Sequence, residues 1–402
     1  MKAVGVIVEY NPFHNGHKLH LDKINERDSE SVKIAVMSGD FVQRGEPAII
    51  NRWKRAEIAL KNGIDIVVEL PCFYSCQSAE IFARGAVGIL DELQCKEIIF
   101  GSETSNIEEL KKIAFLEESE IFKEKIKEFL KSGESYPNAH SKALKEVSGK
   151  EQNSLSNDIL GIEYIKGINY WNSESEPVTI LREKVGYHST DAEDNIASAT
   201  AIRKFLKGGE NIEKFLPKES FSILIEEFNN GKIVELKDFY PLLRYEIIRN
   251  RDSLKNIQDM EKGYENRLYE GAIKSSDFES FYKAIESRRF THGRTQRVLL
   301  HILLGITVEI TEIVKKEIPY VRVMGFNKKG REYLNYLKKY ENKKIITSLK
   351  NIQDNFSMEV RELIEFNERA STIYKMQNFY EDRKIPIIIK DLEERKWRRG
   401  YL

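Results

Sequence analysis

The sequence has few cysteines and no long apolar run, and each of these absences excludes a class of protein. Its 402 residues include three cysteines, Cys72, Cys76 and Cys95, which are too few for a disulfide framework and favour a reducing compartment. No apolar segment reaches the roughly 18 residues that a membrane span needs, and the apolar start, residues 1–8, is too short for a signal peptide. We therefore expect a cytoplasmic protein without a membrane partner.

The chain also lacks any excess of charge, because 64 Lys and Arg residues balance 64 Asp and Glu residues. The whole molecule thus gives no sign of a nucleic-acid partner, and such evidence has to come from local asymmetry. The length suggests two or three domains. Near residues 210–220 the sequence changes to a helical periodicity rich in Lys, Glu and Leu. This change predicts a catalytic domain over 1–215 and a mainly helical region over 216–402.

Strand-like and helix-like segments alternate in the first third of the chain. The predicted strands are 3–10, 32–39, 64–71 and 96–103, and the predicted helices are 16–25, 51–63 and 78–93. A helix over 156–168, a strand over 177–183 and a helix over 198–209 follow, and the later strand-like segments are 308–314, 319–326 and 343–349. Continuous apolar strands alternating with amphipathic helices predict an α/β fold with a parallel sheet covered on both faces.

Three of the seven histidines lie within the segment NPFHNGHKLH, residues 11–20, at a predicted strand-to-helix turn. Gly16, between His14 and His17, lets the backbone approach a ligand closely, and the helix N-terminus suits a phosphate. The two imidazoles could stabilise charge during attack at phosphorus. The alternatives are zinc ligation and a structural role. Zinc is disfavoured because the histidines fan around a helix and no carboxylate or cysteine completes a ligand set.

A second helix start, in the segment IASATAIRKFL at 196–206, offers further groups for a phosphate chain. Ser198 and Thr200 supply hydroxyl groups, and Arg203 supplies a guanidinium for a triphosphate tail. The alternative for Ser198 is simple N-capping of the helix, and the two roles are compatible.

Together these two segments resemble the H-x-G-H and I-S-x-T-x-I-R signatures of the nucleotidylyltransferase superfamily, which has a Rossmann-like fold. Longer segments narrow the resemblance, among them MSGDFVQRGEPAIINRWKRAEIALKNGIDIVVELP, FGSE, SNDILGIEYIK and MGFNKKGREYL. Over essentially the whole chain they resemble the tRNA-methionine cytidine acetate ligase family. That resemblance implies acetylation of N4 of the wobble cytidine in elongator tRNA(Met), with free acetate as substrate, ATP as cofactor and Mg²⁺ accompanying the ATP.

The resemblance also implies a nucleotide pocket. Its expected members are Ile7, Val8, Glu9, Tyr10, Asn11, Pro12, Phe13, His14, Asn15, Gly16, His17, Lys18, Leu19 and His20, together with Gly101, Asn157 and Arg182. One departure from the superfamily pattern is the run Ala197–Ser198–Ala199, where a second serine is common.

The segment SGDFVQRG, residues 38–45, follows the second predicted strand, at the edge of the sheet where ligands bind in such folds. Asp40 could accept a hydrogen bond from the cytosine amino group. Arg44 could hold a carboxylate or an RNA phosphate. With His14 and His17, these two are the candidate catalytic residues; the alternative is a salt-bridged surface turn.

Basic residues are concentrated late in the chain. Residues 286–350 contain 15 Lys and Arg against 6 Asp and Glu, an excess of nine. Arg294, Arg297, Lys328 and Lys329 are the predicted RNA contacts, because arginine and lysine interleaved with aromatics suit a phosphate backbone with unstacked bases. The alternative is an ordinary solvated helix face. A smaller basic patch occupies 393–402.

The sequence therefore favours an ATP-dependent RNA-modifying ligase. Two other functions stay open: a small-molecule adenylyltransferase, which shares both signatures, and a non-catalytic RNA-binding protein. The adenylyltransferase does not explain the second half of the chain, and the intact signatures argue against a non-catalytic protein. Acetate-dependent exchange between ATP and pyrophosphate distinguishes the ligase from both.

Overall fold

A mixed eight-stranded sheet runs through the protein, whose computed structural model describes residues 1–149, 156–182, 195–287, 290–340 and 343–389. The strands are β1 Ala3–Val8, β2 Val32–Ser38, β3 Phe41–Val42, β4 Glu46–Pro47, β5 Ile66–Leu70, β6 Glu97–Ser102, β7 Glu176–Leu181, β8 Val321–Phe326, β9 Ile345–Ile346 and β10 Ile387–Ile388. The main sheet has the order β10-β8-β5-β2-β1-β6-β7, with β9 beside β8, and β3 pairs only with β4.

Helices connect the strands and form most of the second half of the described chain. They are α1 Asn15–Arg27, α2 Arg52–Lys61, α3 Cys72–Ser75, α4 Ala79–Glu92, α5 Ile107–Glu118, α6 Glu120–Lys131, α7 Tyr136–Ser148, α8 Ser156–Trp171, α9 Ala199–Lys207, α10 Lys218–Asn229, α11 Tyr240–Arg249, α12 Tyr264–Lys274, α13 Phe278–Ile285, α14 His292–Leu304, α15 Val308–Val314, α16 Lys328–Leu337, α17 Ile352–Asn355 and α18 Met358–Lys375. Short 3₁₀ turns occupy Glu213–Phe215, Leu236–Phe239, Arg251–Asn256, Lys338–Tyr340 and Leu349–Asn351.

Five neighbouring strands, β5, β2, β1, β6 and β7, are parallel to one another. Every residue of β2 and β5 is buried, as expected for apolar strands in a sheet covered on both faces. The chain first builds outward from β1 through β2 to β5, and then returns to the other side of β1 with β6. In sheets of this doubly wound kind, ligands bind where the direction of building reverses, at the carboxyl ends of the strands.

The structure confirms the predicted α/β fold and each strand and helix expected in the first 210 residues, with shifts of a few residues at the ends. The strands expected at 319–326 and 343–349 are also present, as β8 and the short β9. The strand expected at 308–314 is wrong, because this segment forms α15. Thr307 caps that helix by accepting a hydrogen bond from the amide of Ile310 at 3.2 Å.

Strands from both halves of the sequence share the main sheet. β8 lies beside β5 and antiparallel to it, and β10 extends the sheet beyond β8. Helix α16, which follows β8, packs closely against the start of β5. A Cβ atom on Gly330 would lie 2.2 Å from the carbonyl oxygen of Asp65, the residue before β5. The division at residue 215 therefore does not divide the sheet, and it stays a prediction about the units of the chain.

A buried ion cluster joins these parts, and Arg52 at the start of α2 is its centre. Its side chain has no exposed surface and lies 2.7 Å from Glu69, 3.1 Å from Glu368, 3.2 Å from Asp382 and 3.6 Å from Asp40. The term "buried ion cluster" is used below for these five residues and Arg322.

Arg322 on β8 supplies the second positive charge of the cluster. Its guanidinium lies 3.3 Å from Glu69 and also contacts Glu368. Burial opposes ionisation of Glu69, but the charges of Arg52 and Arg322 outweigh that effect and lower the pKa of its carboxyl group. The Glu69 carboxyl group is therefore held in its charged form, and the cluster connects α2, β5, β8 and α18.

Asp40 belongs to this cluster, and its expected contact with a cytosine amino group stays a prediction. Only 3% of the residue is exposed. Its carboxylate accepts hydrogen bonds from the backbone amide of Arg52 at 2.8 Å and from the hydroxyl group of Tyr380 at 2.8 Å. These contacts give Asp40 a structural role beneath the edge of the sheet.

Replacing Arg52 with Met should destabilise the protein strongly, because the buried carboxylates of Glu69 and Asp40 lose the central positive charge while the side-chain volume stays similar. We expect a loss of about 3–5 kcal/mol in the free energy of unfolding, measured by urea titration. The matched control is Lys96→Met, which removes an ion pair with Glu174 that is 2.7 Å long and largely exposed, and it should leave the urea midpoint unchanged. Equal midpoints for the two variants would contradict the role assigned to the cluster.

Candidate active site

The histidine turn lies at the carboxyl end of β1, beside the reversal point of the sheet. His14 caps helix α1, and its Nδ1 atom accepts a hydrogen bond from the amide of Gly16 at 3.1 Å. The amide of His14 in turn donates to Nδ1 of His17 at 3.2 Å, and the two rings stack with centroids 3.8 Å apart. Since both Nδ1 atoms accept, both protons reside on Nε2. Each imidazole thus keeps one N–H donor that the turn itself does not use.

Burial determines the charge of these histidines. It lowers the pKa of His14 to about 4 and that of His17 well below the usual 6.5, and the positive charge of Arg182 lowers both further. Both imidazoles are neutral at pH 7. They can therefore act as hydrogen-bond donors to phosphate oxygens, whereas the full positive charge near them comes from arginine.

His20, one turn further along α1, has the same electrostatics. Burial and then the charge of Arg182 lower its pKa to about 4. Its Nε2 atom is buried and has no hydrogen-bond partner within the part of the chain that the structure describes. The membership of His20 in the nucleotide pocket stays a prediction.

Aromatic packing fixes the turn between β1 and α1. The ring of His17 lies 4.9 Å from that of Tyr10 and 5.6 Å from that of Phe13. The hydroxyl group of Ser220 on α10 donates to the carbonyl oxygen of Phe13 at 2.6 Å. His17 is thus packed between two aromatic rings and the ring of His14, as a pre-organised donor requires.

The second predicted helix start lies directly beside the first. The side-chain amide of Asn15 donates to the carbonyl oxygens of Asn195, at 2.8 Å, and Lys214, at 2.9 Å. A Cβ atom on Gly16 would lie 3.0 Å from the His14 ring and 3.6 Å from the side chain of Ile196. Two helix N-termini separated by about 180 residues are thereby brought together, and a side chain at Gly16 would be tightly packed against the His14 ring.

Ser198 caps helix α9 by accepting a hydrogen bond from the amide of Ala201 at 3.2 Å, so its N-cap role is confirmed. Thr200 is exposed in the first turn of the same helix. Arg203, one turn later, donates to the carbonyl oxygen of Asn11 at 2.8 Å and to the carboxylate of Glu46 at 3.1 Å. Arg203 therefore holds α9 against the histidine turn and the β3–β4 hairpin.

Gly101, Asn157 and Arg182, three further expected site residues, lie near the carboxyl ends of β6 and β7, and β6 is the neighbour of β1. The guanidinium of Arg182 donates to the side-chain oxygen of Asn157 at 2.8 Å. A Cβ atom on Gly101 would lie 3.0 Å from the Arg182 side chain, so this glycine makes room for it. Glu103, which sequence reasoning did not single out, binds Asn157 as well. Its signal was the acidic residue that ends the strand segment FGSE.

Arg44 lies exposed between β3 and β4. The adjoining Gly45 has φ +80°, and a Cβ atom there would lie 2.4 Å from the backbone nitrogen of Arg297 on α14. The hairpin therefore packs directly against α14. Below it, burial raises the pKa of Glu9, although the charges of Arg203, Arg55 and Arg44 oppose the shift. The carboxylate of Glu9 accepts from the amide of Gln43 at 2.7 Å and so supports the hairpin.

The four predicted RNA contacts do not lie together. Arg294 pairs with Glu261 at 3.0 Å, and Arg297 lies 3.8 Å from Asp259; both are on α14, the helix that packs against the Arg44 hairpin. The structure separates Lys328 and Lys329 from that helix.

The role of all four residues in RNA binding stays a prediction, and the contacts of Lys329 show where the second pair lies. Lys329 donates to the carbonyl oxygens of Ser29 and Ser31, which precede β2, at 2.9 Å each. It therefore lies at the amino edge of the parallel strands, opposite the histidine turn, and Lys328 is its neighbour at the start of α16. The basic patch at 393–402 and residues 288–289 are outside the described residues.

Two further searches of the described residues bear on the site. No group of three or more His, Cys, Asp or Glu side chains in these ranges is arranged to hold a metal ion. Within the same ranges no helix has the length and apolarity needed to cross a membrane.

Comparison with known proteins agrees with this geometry. A model of the HIGH Nucleotidyl Transferase family matches residues 1–385. The chain is 47% identical over 400 residues to the tRNA(Met) cytidine acetate ligase of Fusobacterium nucleatum, with 97% of this chain and 99% of that protein covered. It is 44% identical over 385 residues to the protein of the same name from Caldicellulosiruptor saccharolyticus, with 94% of each chain covered.

Two solved structures of Thermotoga maritima TmcAL also resemble this one. The crystal structure bound with alpha-thio ATP has a TM-score of 0.87 and 33% sequence identity, and the apo structure has a TM-score of 0.88 and 34% identity. Each comparison covers 97% of this chain and 100% of the other. The similarity thus extends from the histidine turn through the helical second half, and the chain belongs to the tRNA(Met) cytidine acetate ligase family of HIGH nucleotidyl transferases.

Proposed function

We propose that this chain uses ATP to activate acetate as acetyl-adenylate and transfers the acetyl group to N4 of the wobble cytidine of elongator tRNA(Met). One observation carries the proposal: two helix N-termini, two neutral imidazole donors and the Arg182 guanidinium meet at the carboxyl edge of the sheet. Such a site suits a triphosphate. The names of the relatives supply the acceptor, tRNA(Met) cytidine, and the second substrate, acetate.

The first step is an in-line displacement at the α-phosphate of ATP. An acetate oxygen forms the new bond to phosphorus, the bond to the β-phosphate bridging oxygen breaks, and pyrophosphate leaves. Such a step needs positioning and charge stabilisation more than covalent chemistry from the protein. The Nε2–H groups of His14 and His17 supply hydrogen bonds to the charge that develops on the phosphate oxygens.

In the second step the N4 amine of cytidine attacks the acetyl carbonyl, AMP leaves and the amine loses a proton, giving N4-acetylcytidine. The exocyclic amine is a weak nucleophile, and for this reason the acetate has to be activated as a mixed anhydride. Exposed Arg44, on the hairpin beside the site, is placed to hold the acetate carboxylate or an RNA phosphate.

Mg²⁺ is expected to enter with the nucleotide. This ion commonly uses substrate phosphates and one or two carboxylates, which agrees with the lack of a three-residue ligand group among the described residues. When bound, it would neutralise phosphate charge. We also infer a cytoplasmic location, which is supported by three cysteines that are all unpaired and buried.

The proposed function is tested by incubating unmodified tRNA(Met) with the protein, ATP and isotopically labelled acetate, followed by mass spectrometry of the nucleosides. Labelled N4-acetylcytidine is the expected product. Acetate-dependent exchange of pyrophosphate into ATP, measured without tRNA, tests the first step alone. Transfer of AMP to a metabolite, with no labelled cytidine, would identify a small-molecule adenylyltransferase instead.

His17→Ala should slow the acetate-dependent exchange by roughly 10²–10³-fold, because a hydrogen bond that strengthens in the transition state is lost. Binding of tRNA should be unchanged. His140→Ala is the matched control, because His140 pairs with Glu117 on the helical segment between β6 and β7, and its exchange rate should equal that of the wild type. An unchanged rate in His17→Ala would remove this residue from the mechanism.

The exchange rate should be flat between pH 6 and pH 8 at saturating Mg²⁺ and ATP. The pKa of His14 is lowered to about 4 and that of His17 lies well below 6.5, so both imidazoles stay neutral across this interval. A mechanism that needed a charged imidazolium would instead give a rate that rises as the pH falls towards 6. The pH–rate profile of the tRNA-free reaction separates the two mechanisms.

Arg294→Ala combined with Arg297→Ala should weaken tRNA binding and reduce the slope of log affinity against log salt by up to about two units, since each lost phosphate contact removes about one unit. Lys328→Ala combined with Lys329→Ala removes the same charge at the opposite edge of the sheet, and should change neither quantity. Equal losses in both double variants would show that tRNA also reaches the far edge.

A further inference from the structure

Glu103, directly after β6, binds three donors at the start of helix α8. Its Oε1 atom accepts from the side-chain Nδ2 of Asn157 at 2.5 Å and from the amide of the same residue at 3.3 Å. Its Oε2 atom accepts from the amide of Asp158 at 3.0 Å. One carboxylate therefore caps α8 from outside the helix and also holds the Asn157 side chain.

This contact determines which way the Asn157 amide faces. With Nδ2 directed at the Glu103 carboxylate, the Oδ1 atom is left to accept the hydrogen bond from Arg182 at 2.8 Å. A flipped amide would place Nδ2 against a guanidinium, which has no acceptor, and Oδ1 against a carboxylate, which has no donor. The negative charge of Glu103 thus fixes, through Asn157, the place of the Arg182 guanidinium.

The support for Glu103 is itself fixed. The carboxylate of Asp158, which is 2% exposed, accepts hydrogen bonds from the hydroxyl group of Ser102 and from the amide of Glu103 at 3.1 Å. The backbone amide of Arg182 donates to the carbonyl oxygen of Ser102 at 2.9 Å. The strand ends of β6 and β7 and the first turn of α8 are therefore tied together by reciprocal bonds.

Two consequences concern the anion that binds here. The first-turn amides of α8 at Asn157 and Asp158 already bind Glu103, so these two amides are not available to a phosphate. The Arg182 side chain is exposed. Burial is the main cause of the lowered pKa of His14, His17 and His20, and the positive charge of Arg182, which lies near the histidine turn, lowers each pKa further. The group that can meet a phosphate at this strand end is therefore the Arg182 guanidinium.

We propose that Glu103 is a positioning residue for nucleotide binding, which acts through the Asn157 amide to hold the Arg182 guanidinium beside the histidine turn. The inference rests on the proposed function for the nucleotide site and adds a residue that acts without touching the nucleotide. The effect of Glu103 on ATP affinity therefore depends on the presence of the Arg182 guanidinium.

A double-mutant cycle tests this coupling. The dissociation constant of ATP is measured by calorimetry on the full chain for wild type, Glu103→Ala, Arg182→Ala and the combined variant. Glu103→Ala should weaken ATP binding by about tenfold, the factor that corresponds to about 1.4 kcal/mol for a displaced charge-assisted contact. In the Arg182→Ala background the same change should have no further effect. Multiplying effects in the combined variant would overturn the proposal.

Two further variants separate positioning from a general loss of structure. Glu103→Gln keeps the size of the side chain but has one acceptor oxygen for three donors, so ATP binding should weaken by at least about threefold; unchanged binding would overturn the proposal. Glu109→Ala removes an exposed carboxylate on the neighbouring helix α5 and should bind ATP like the wild type. Because the readout is ATP binding, it stays informative even where the acetate-dependent reaction is absent, and that absence would count against the proposed function alone.

Discussion

The structure depends on the neutralisation of two arginines that water does not reach. Arg52 and Arg322 are 0% and 4% exposed at their side chains, and a buried guanidinium without counter-charge would cost several kcal/mol. The carboxylates that neutralise them come from residues as far as 330 positions away in the chain. Strand β5, helix α18 and the segment after it must therefore be in place together. This requirement ties strands of the sheet to the last helix of the described chain, although the sequence changes in composition between them.

Histidine and arginine side chains have different electrostatic roles in the active site. The histidines are buried, neutral and hydrogen-bonded at Nδ1, so they contribute direction rather than charge. Arginine contributes the charge, since Arg182 lies exposed at the strand ends and Arg203 links the two helix starts. This division suits a reaction that releases pyrophosphate, because a fully cationic pocket would bind the leaving group as strongly as the substrate.

Local patterns in the sequence were enough to predict the strands around β1 and the two helix starts, because these features depend on neighbours within a few residues. The Val308–Val314 helix was missed because its apolar residues also fit a strand, and its cap at Thr307 decides between the two. The contacts of Asp40 and Glu103 could not be predicted from local sequence, because their partners Tyr380 and Asn157 are distant in the chain. The separation of Lys328 from Arg294 depends on the antiparallel placement of β8, which no local pattern records.

Gly45, between β3 and β4, lies directly against helix α14. The backbone of the hairpin that presents Arg44 touches the backbone of α14 itself, with no side chain between them. A side chain at this position would overlap the α14 backbone, and its φ of +80° is also one that favours glycine, so the close packing depends on glycine here. The spacing between the Arg44 hairpin and α14 is therefore set at a residue that has no side chain.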